Sequence, residues 1–216
     1  MNIAIRQATA DDKDFIITSI IEAEKSGADI ISYCAIFSLT EQEFRGILNN
    51  ILDEEMEGQE LCISNFLVAE VDGERAAALS TWVEEESGMI KSNLLLYFLG
   101  GDKITSAASN LSLLNEINIK REIGTLQVEC VYTNEKFRGL GIVRQLIDES
   151  IKWRLGQGKA FEKAQVILLK NNESATRAYE KAGFTVMEER HSPDKNILKI
   201  FPGDTKILME RKVINK

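Results

Sequence analysis

One run of this chain fixes most of what it can become. "TLQVECVYT" at 125–133 is followed by "NEKFRGLG" and then by "IVRQLIDESIKWRLG". The first piece is rich in β-branched and aromatic residues and reads as a strand. The last places Ile142, Val143, Leu146, Ile147, Ile151 and Leu155 on one helical face. "GQGK" ends that helix, and "AQVILLK" at 164–170 is a continuous apolar run of strand length. Such a run suits a strand covered on both faces. "NNESATRAYEKAGF" then reads as a short helix, with Asn172 as its N-cap, Gly183 just past its end and Phe184 as the closing hydrophobic contact. Strand, turn, helix, strand and helix in this order demand a sheet with helices packed on it.

The remaining segments extend the same plan. "IAIRQAT" alternates as a strand, and "TADDKDF" supplies a cap and first-turn acids to a helix running through "FIITSIIEAEKSG". "SLTEQEFRGILNNILDEEMEG" reads as a second helical stretch, with Thr40 and Glu43 spaced as a capping box. Residues 61–86 read as strand, turn, strand, because Asp72–Gly73 is a strong hairpin signal. In 88–124, "NLLLYFL" and "ITSAASNLSLLNEI" look helical, with Gly100–Gly101 as a break. "TVMEERHS" and "TKILMERKV" are two last strands, joined by a loop with Pro193 and Pro202–Gly203. We expect one domain over 1–216 with a mainly helical insertion at about 88–124, and a mixed sheet with helices on both faces.

Composition narrows the partners. With 44% hydrophobic and 28% charged residues, 216 residues can build a core without staples. A formal net charge of −8 makes a phosphate backbone a poor partner, so no nucleic acid is expected. Cys34, Cys62 and Cys130 show no CxxC spacing and His191 is the sole histidine, so no metal site is expected. The N-terminus lacks the pattern of a signal peptide, and the longest apolar run, "LLLYFL" at 94–99, is too short to span a bilayer. We expect a cytoplasmic chain with no membrane partner.

The "RGLG" turn has a specific chemistry. The first N–H groups of a helix lack intrahelical partners, and the helix dipole adds positive charge there. Glycines let an anion approach those groups, and Arg138 and Arg144 add charge, so a pyrophosphate is the natural guest. A glycine-containing strand-to-helix turn with surface arginines is the plainer alternative. A Walker loop is absent, and a GxGxxG fingerprint fails because Arg144 stands at its third position.

Arg138-Gly139-Leu140-Gly141-Ile142-Val143 resembles the central signature of the GCN5-related N-acetyltransferase superfamily: Arg or Gln, two residues, Gly, one residue, then Gly or Ala. The final position departs, since Val143 is β-branched and narrows the approach to the phosphates, though its N–H remains available. "NNESATRAYEKAGF" resembles the family's Asn…Ala…Tyr…Gly-Phe block, and the two blocks together span 125–184. The resemblance implies an α/β fold with a mixed, mostly antiparallel central sheet, splayed between two parallel strands, with helices on both faces. It implies acetyl-CoA as co-substrate and transfer of an acetyl group to an amine of a small molecule or protein by direct attack. The alternative is a non-catalytic acyl-CoA-binding sensor or scaffold of the same fold.

Residue roles follow from that resemblance. Val131 and Thr133 match the strand that pairs with the pantetheine arm, and the Val131 N–H is our choice to hold the thioester carbonyl. The backbone of Arg138, Gly139, Leu140, Gly141, Ile142, Val143 and Arg144 would hold the diphosphate, and Asn172 would meet the pantetheine. Tyr179 matches the family's thiolate-protonating tyrosine; a core tyrosine is the alternative. Glu129 lies two residues before Val131, hence on the same strand face, and is our choice of base, against a plain surface carboxylate. Gln127 stands where some members carry a glutamate. Cys130 reads as a buried small hydrophobe, and His191 as solvent-facing. "EEE" at 84–86 would attract a cationic amine or simply be a solvated strand end. Segment 88–124 leaves two uses open, a lid over the acceptor or a contact in a homodimer.

Overall fold

The computed structural model describes residues 1–54, 60–85, 97–99 and 101–213. β1 (Ile3–Gln7) leads into α1 (Lys13–Lys25), α2 (Ser32–Phe37) and α3 (Glu41–Asp53). A hairpin, β2 (Phe66–Val71) and β3 (Glu74–Val83), follows, then α4 (Gly101–Ser106) and α5 (Ala108–Glu116). β4 (Leu126–Thr133), α6 (Ile142–Gly156), β5 (Lys163–Leu169), α7 (Glu173–Lys181), β6 (Thr185–His191) and β7 (Thr205–Lys212) complete the chain. The described strands form one sheet in the order β1-β2-β3-β4-β5-β7-β6. Only β4 and β5 are parallel neighbours; the other pairs are antiparallel. The expected mixed sheet, parallel at one junction, is borne out.

Local signals explain the boundaries. Thr40 Oγ1 accepts the Glu43 N–H at 3.2 Å, and the Thr40 N–H donates to Glu43 Oε2 at 2.7 Å, the reciprocal capping box. Asp72 and Gly73 take φ of 50° and 85°, the left-handed turn that the hairpin requires. Asn172 Oδ1 accepts the Ala175 N–H at 3.1 Å and caps α7. Two details differ from expectation. Gly101 begins α4, and the stretch read as one helix after it breaks at Ala107, between α4 and α5. The short helix α2 had no strong sequence signal and was not expected. Residues 93–96 of the "NLLLYFL" stretch, along with Gly100, lie outside the described residues.

The sheet carries a core on each face. Leu79, Leu126, Val128, Ile142, Leu146, Ile147, Tyr179 and Phe184 share the core under α6 and α7. Ile16, Ile20, Phe44, Leu48, Val68, Ala78 and Cys130 share the core under α1 and α3. A smaller cluster ties α2 to α4 and α5 through Ile36, Phe37 and Ala107. Arg154 sits on the buried stripe of α6 and donates to Asn65 Oδ1 at 2.7 Å and to the Thr81 carbonyl, with its guanidinium over the Trp153 ring. Its place is consistent with its spacing from Ile147 and Ile151 along the helix.

An ion cluster fixes the start of α1. The fully buried Asp12 carboxylate accepts from Arg6 at 2.6 and 2.9 Å, from Arg75 at 2.6 Å and from the Thr9 N–H at 2.9 Å. The hydrogen-bonded Arg6 guanidinium, foremost, holds the Asp12 carboxyl well below the usual carboxylate range. A carboxyl depressed in the folded state stabilises it above the unfolded value, and that contribution is lost as the pH falls toward the folded value. Asp12→Asn should therefore cost about 3 kcal/mol in urea unfolding at neutral pH. The gap to wild type should narrow below about pH 4; a gap that stays constant to low pH would contradict this.

Candidate active site

β4 and β5 pair at only two positions, Leu126 with Ala164 and Gln127 with Gln165. Beyond them the strands diverge, and Val128–Thr133 and Val166–Leu169 line a cleft of about 1660 Å³. The closed end is held by amides. Gln127 Nε2 donates to Thr125 Oγ1 at 2.6 Å and to Gln165 Oε1 at 3.2 Å, all three residues being buried. Gln127 thus closes the base of the V rather than facing the cleft, whose lining does not include it.

The middle of β4 departs from the expected alternation. Cys130 has φ of 51°, and the register with β3 shifts there, with Glu129 opposite Ser80 and Tyr132 opposite Ala78. This is a β-bulge, two residues against one, which increases local twist and re-aims side chains. Val128 belongs to the core under α6, and Cys130 to the core under α1. Val131 packs back against the α6 side, while the Tyr132 ring meets Phe15 of α1 edge-on at 6.1 Å. Glu129 and Val131 therefore lie on opposite sides of the sheet, not on one face as alternation predicts. Cys130 is buried as expected, but on Glu129's side.

The α6 side of the cleft has the features of an anion cradle. Gly139 and Gly141 take φ of 84° and 70°, and a Cβ added at either would meet nothing within 4 Å. Among the described residues, no backbone acceptor is taken by the N–H groups of Gly139, Leu140 and Gly141. The first-turn amides of Ile142, Val143 and Arg144 follow at the start of α6. Arg138 and Arg144 flank the turn with exposed side chains, the first 3.0 Å from Glu135 and the second 3.8 Å from Asp148. Leu140 is half-buried on the core and does not line the cleft; Val143 does both. Thr133 Oγ1 is buried in the cleft wall without a hydrogen-bond partner among the described residues. Positive-φ glycines, orphan amides, an orphan hydroxyl and an unpaired strand edge fit a coenzyme with a diphosphate and an amide-bearing arm.

Tyr179 of α7 reaches the gap between the strands. Its ring packs edge-on against Phe184 at 5.8 Å, and its side chain is buried. Burial pushes its phenol well above the usual tyrosine range, and the charge of Glu129 adds to that. Its hydroxyl makes no hydrogen bond to the described residues, so the proton donor is free for a guest. Asn172 lines the same cleft while its Oδ1 serves the cap, and its amide nitrogen bonds to none of the described residues.

The opposite side of the cleft is rich in carboxylates. Glu22, Glu24, Glu60, Glu84, Glu85 and Glu129 line it, with Lys120 and Arg121 among them. Glu86, the last of the "EEE" run, lies outside the described residues. Glu129 Oε1 receives a 2.7 Å hydrogen bond from Arg121 Nη2, a contact that the sequence does not reveal. His191 ends β6 and is half-exposed, and its Nδ1 is 3.0 Å from Thr205 Oγ1.

The splayed sheet, the glycine turn and the tyrosine define a class, and comparison with known proteins agrees. Residues 101–186 match the family model for the acetyltransferase (GNAT) domain. That region holds both motif blocks. Solved structures of the same fold include an acetyltransferase of the GNAT family from Streptococcus pneumoniae, with 16% identity, 99% of this chain and 100% of that chain covered, and a TM-score of 0.53. A GCN5-related N-acetyltransferase from Kribbella flavida shares 16% identity over 98% of each chain, with a TM-score of 0.53. A third, yncA of Salmonella typhimurium, is a candidate acetyltransferase seen with its cofactor acetyl-CoA; it shares 14% identity over 100% of this chain and 96% of that one, with a TM-score of 0.54. No curated protein matches the chain. Among the described residues no group of His, Cys, Asp and Glu is arranged to hold a metal ion, and no helix is long and apolar enough to cross a membrane.

Proposed function

We propose that this protein transfers the acetyl group of acetyl-CoA to a primary amine by direct attack. One observation carries the reading: a single cleft passes through the open sheet, from the amides of the glycine turn on one side to a carboxylate-lined wall on the other, with Tyr179 between them. Bound acetyl-CoA supplies an activated acyl carbon. The turn from Arg138 to Arg144 grips its diphosphate, and the free edge of β4 with Thr133 Oγ1 and Asn172 aligns its arm. The Val131 N–H donates to the thioester carbonyl oxygen, where negative charge develops.

Proton movements fall to two side chains. The acceptor arrives as an ammonium, and Glu129, on the acceptor side, takes one proton to free the nitrogen lone pair. As the carbon–nitrogen bond forms and the carbon–sulfur bond breaks, Tyr179 protonates the sulfur, and the nitrogen's second surplus proton restores the phenol through solvent. The same burial that keeps Tyr179 protonated also destabilises a thiolate beside it, which raises the sulfur's demand for that proton. The carboxylate wall favours a cationic acceptor over a neutral or anionic one.

A second reading, acyl-CoA binding without turnover, has one observation behind it. Gln127, matched by resemblance to a position where some members of the family carry a glutamate, is locked into the base of the V. One experiment separates the two. Acetyl-CoA should raise the melting midpoint under either, and thiol release from acetyl-CoA across a panel of cationic and neutral amines should appear only under the first. Turnover with cationic primary amines is expected, with the acceptor KM rising as salt screens the wall. A midpoint shift with no thiol released by any amine would favour the sensor reading.

A further inference from the structure

One guanidinium on the acceptor side is shared by two carboxylates. Arg121 Nη2 stands 2.7 Å from Glu129 Oε1 and 3.0 Å from Glu60 Oε2. Its Cζ lies 5.0 Å from the Trp82 ring centroid, so the ring limits where the cation can move. Glu60 is nearly buried and Arg121 mostly so, with side-chain exposures of 6% and 19%. The three residues come from separate places: Glu60 precedes β2, Arg121 lies between α5 and β4, and Glu129 sits just before the bulge. Glu84 adds negative charge near Arg121, Glu129 and Cys130 both act on Tyr179, and Glu22, Glu24, Glu85 and Lys120 line the same cleft.

Charge arithmetic gives the cluster a purpose. A carboxylate alone with an arginine forms a neutral pair whose anion resists protonation. A second carboxylate on the same arginine adds negative charge beside the first, which favours a proton there while the cation stays paired. We propose that Arg121 and Glu60 are positioning residues that act through Glu129. Arg121 fixes the Glu129 carboxylate on the acceptor side, and Glu60, by drawing on the same guanidinium nitrogen, leaves that carboxylate able to take a proton from the amine. This rests on the reading of Glu129 as the base.

The two partners must then act in opposite directions, which a merely structural role does not require. The Glu129 carboxyl is titrated by 13C NMR in glutamate-labelled protein, beside the pH dependence of kcat/KM, for wild type, Glu60→Gln, Arg121→Lys and Arg121→Gln. Glu60→Gln should lower the Glu129 midpoint by about one pH unit, Arg121→Gln should raise it by about as much, and Arg121→Lys should restore it. The acidic limb of the rate profile should move with the midpoint in each case. Should Arg121→Gln fail to fold, Glu60→Gln decides alone, since its sign is fixed. A midpoint that stays in place, or moves the same way in both neutral variants, overturns the sharing of the cation. Midpoints that move as expected over an unmoved acidic limb, or without turnover, overturn instead the assignment of Glu129 as base, and the positioning role with it.

Discussion

Replacing Tyr179 by phenylalanine should cut kcat about a hundredfold, the ordinary contribution of a positioned general acid. The affinity for acetyl-CoA should stay within a factor of about two, because a coenzyme held by backbone amides loses nothing essential with the phenol. The fold should tolerate the change. The ring keeps its contact with Phe184 and its place in the core. The hydroxyl bonds to no described residue, so its loss leaves no protein group orphaned. Steady-state kinetics and a melting curve on the same preparation check all three expectations. Equal losses in kcat, affinity and melting midpoint would make Tyr179 a packing residue.

Gly141→Val should strike the other end of the cleft. At φ of 70° a β-branched residue is strained, and its side chain would fill the open space in front of the turn. Losing one charge-assisted contact to the diphosphate is worth about 2 kcal/mol, or about thirtyfold in the dissociation constant for coenzyme A. Calorimetric titration reads this directly. The loss should be as large for coenzyme A as for acetyl-CoA, since the diphosphate is common to both. An unchanged constant in a folded variant would remove the turn from the binding site.

The parts of this molecule that follow from short-range rules were legible in the sequence. The capping box at Thr40, the Asp72–Gly73 turn, the Asn172 cap and the order of strands and helices each depend on neighbours within a few residues, and each stands as expected. The glycine turn and Tyr179 were legible because their spacing carries the family's pattern. The face of Glu129 was not, because strand alternation assumes regular pairing and the bulge puts a cysteine, not a glycine, in the left-handed region. Nothing local announces that choice; it follows from how β4 must pair with β3 and still leave β5. The bulge leaves Glu129 facing the carboxylate wall and Val131 facing the glycine turn, a division that suits one residue meeting the acceptor and the other the thioester. The Glu60–Arg121–Glu129 cluster was invisible for a related reason: Glu60 lies far from the other two in the chain and joins them only once the sheet has formed.

The same reasoning explains Gln127. By position it suggests a lost base, and by structure it belongs to the hydrogen-bonded floor of the V, with Gln165 and Thr125. A glutamate there would bury a charge among neutral amides, a costly exchange without a cation to meet it. Under the proposed function the base lies elsewhere, and Glu129 is the carboxylate of β4 that lines the cleft.

The most direct measurement is a crystal structure with coenzyme A. The account predicts the diphosphate within hydrogen-bond reach of the amides from Gly139 to Arg144, the arm along the free edge of β4, and the sulfur between Val131 and Tyr179. A coenzyme bound elsewhere, or a cleft that stays empty at saturating coenzyme A with Val143 closing the turn, would contradict it.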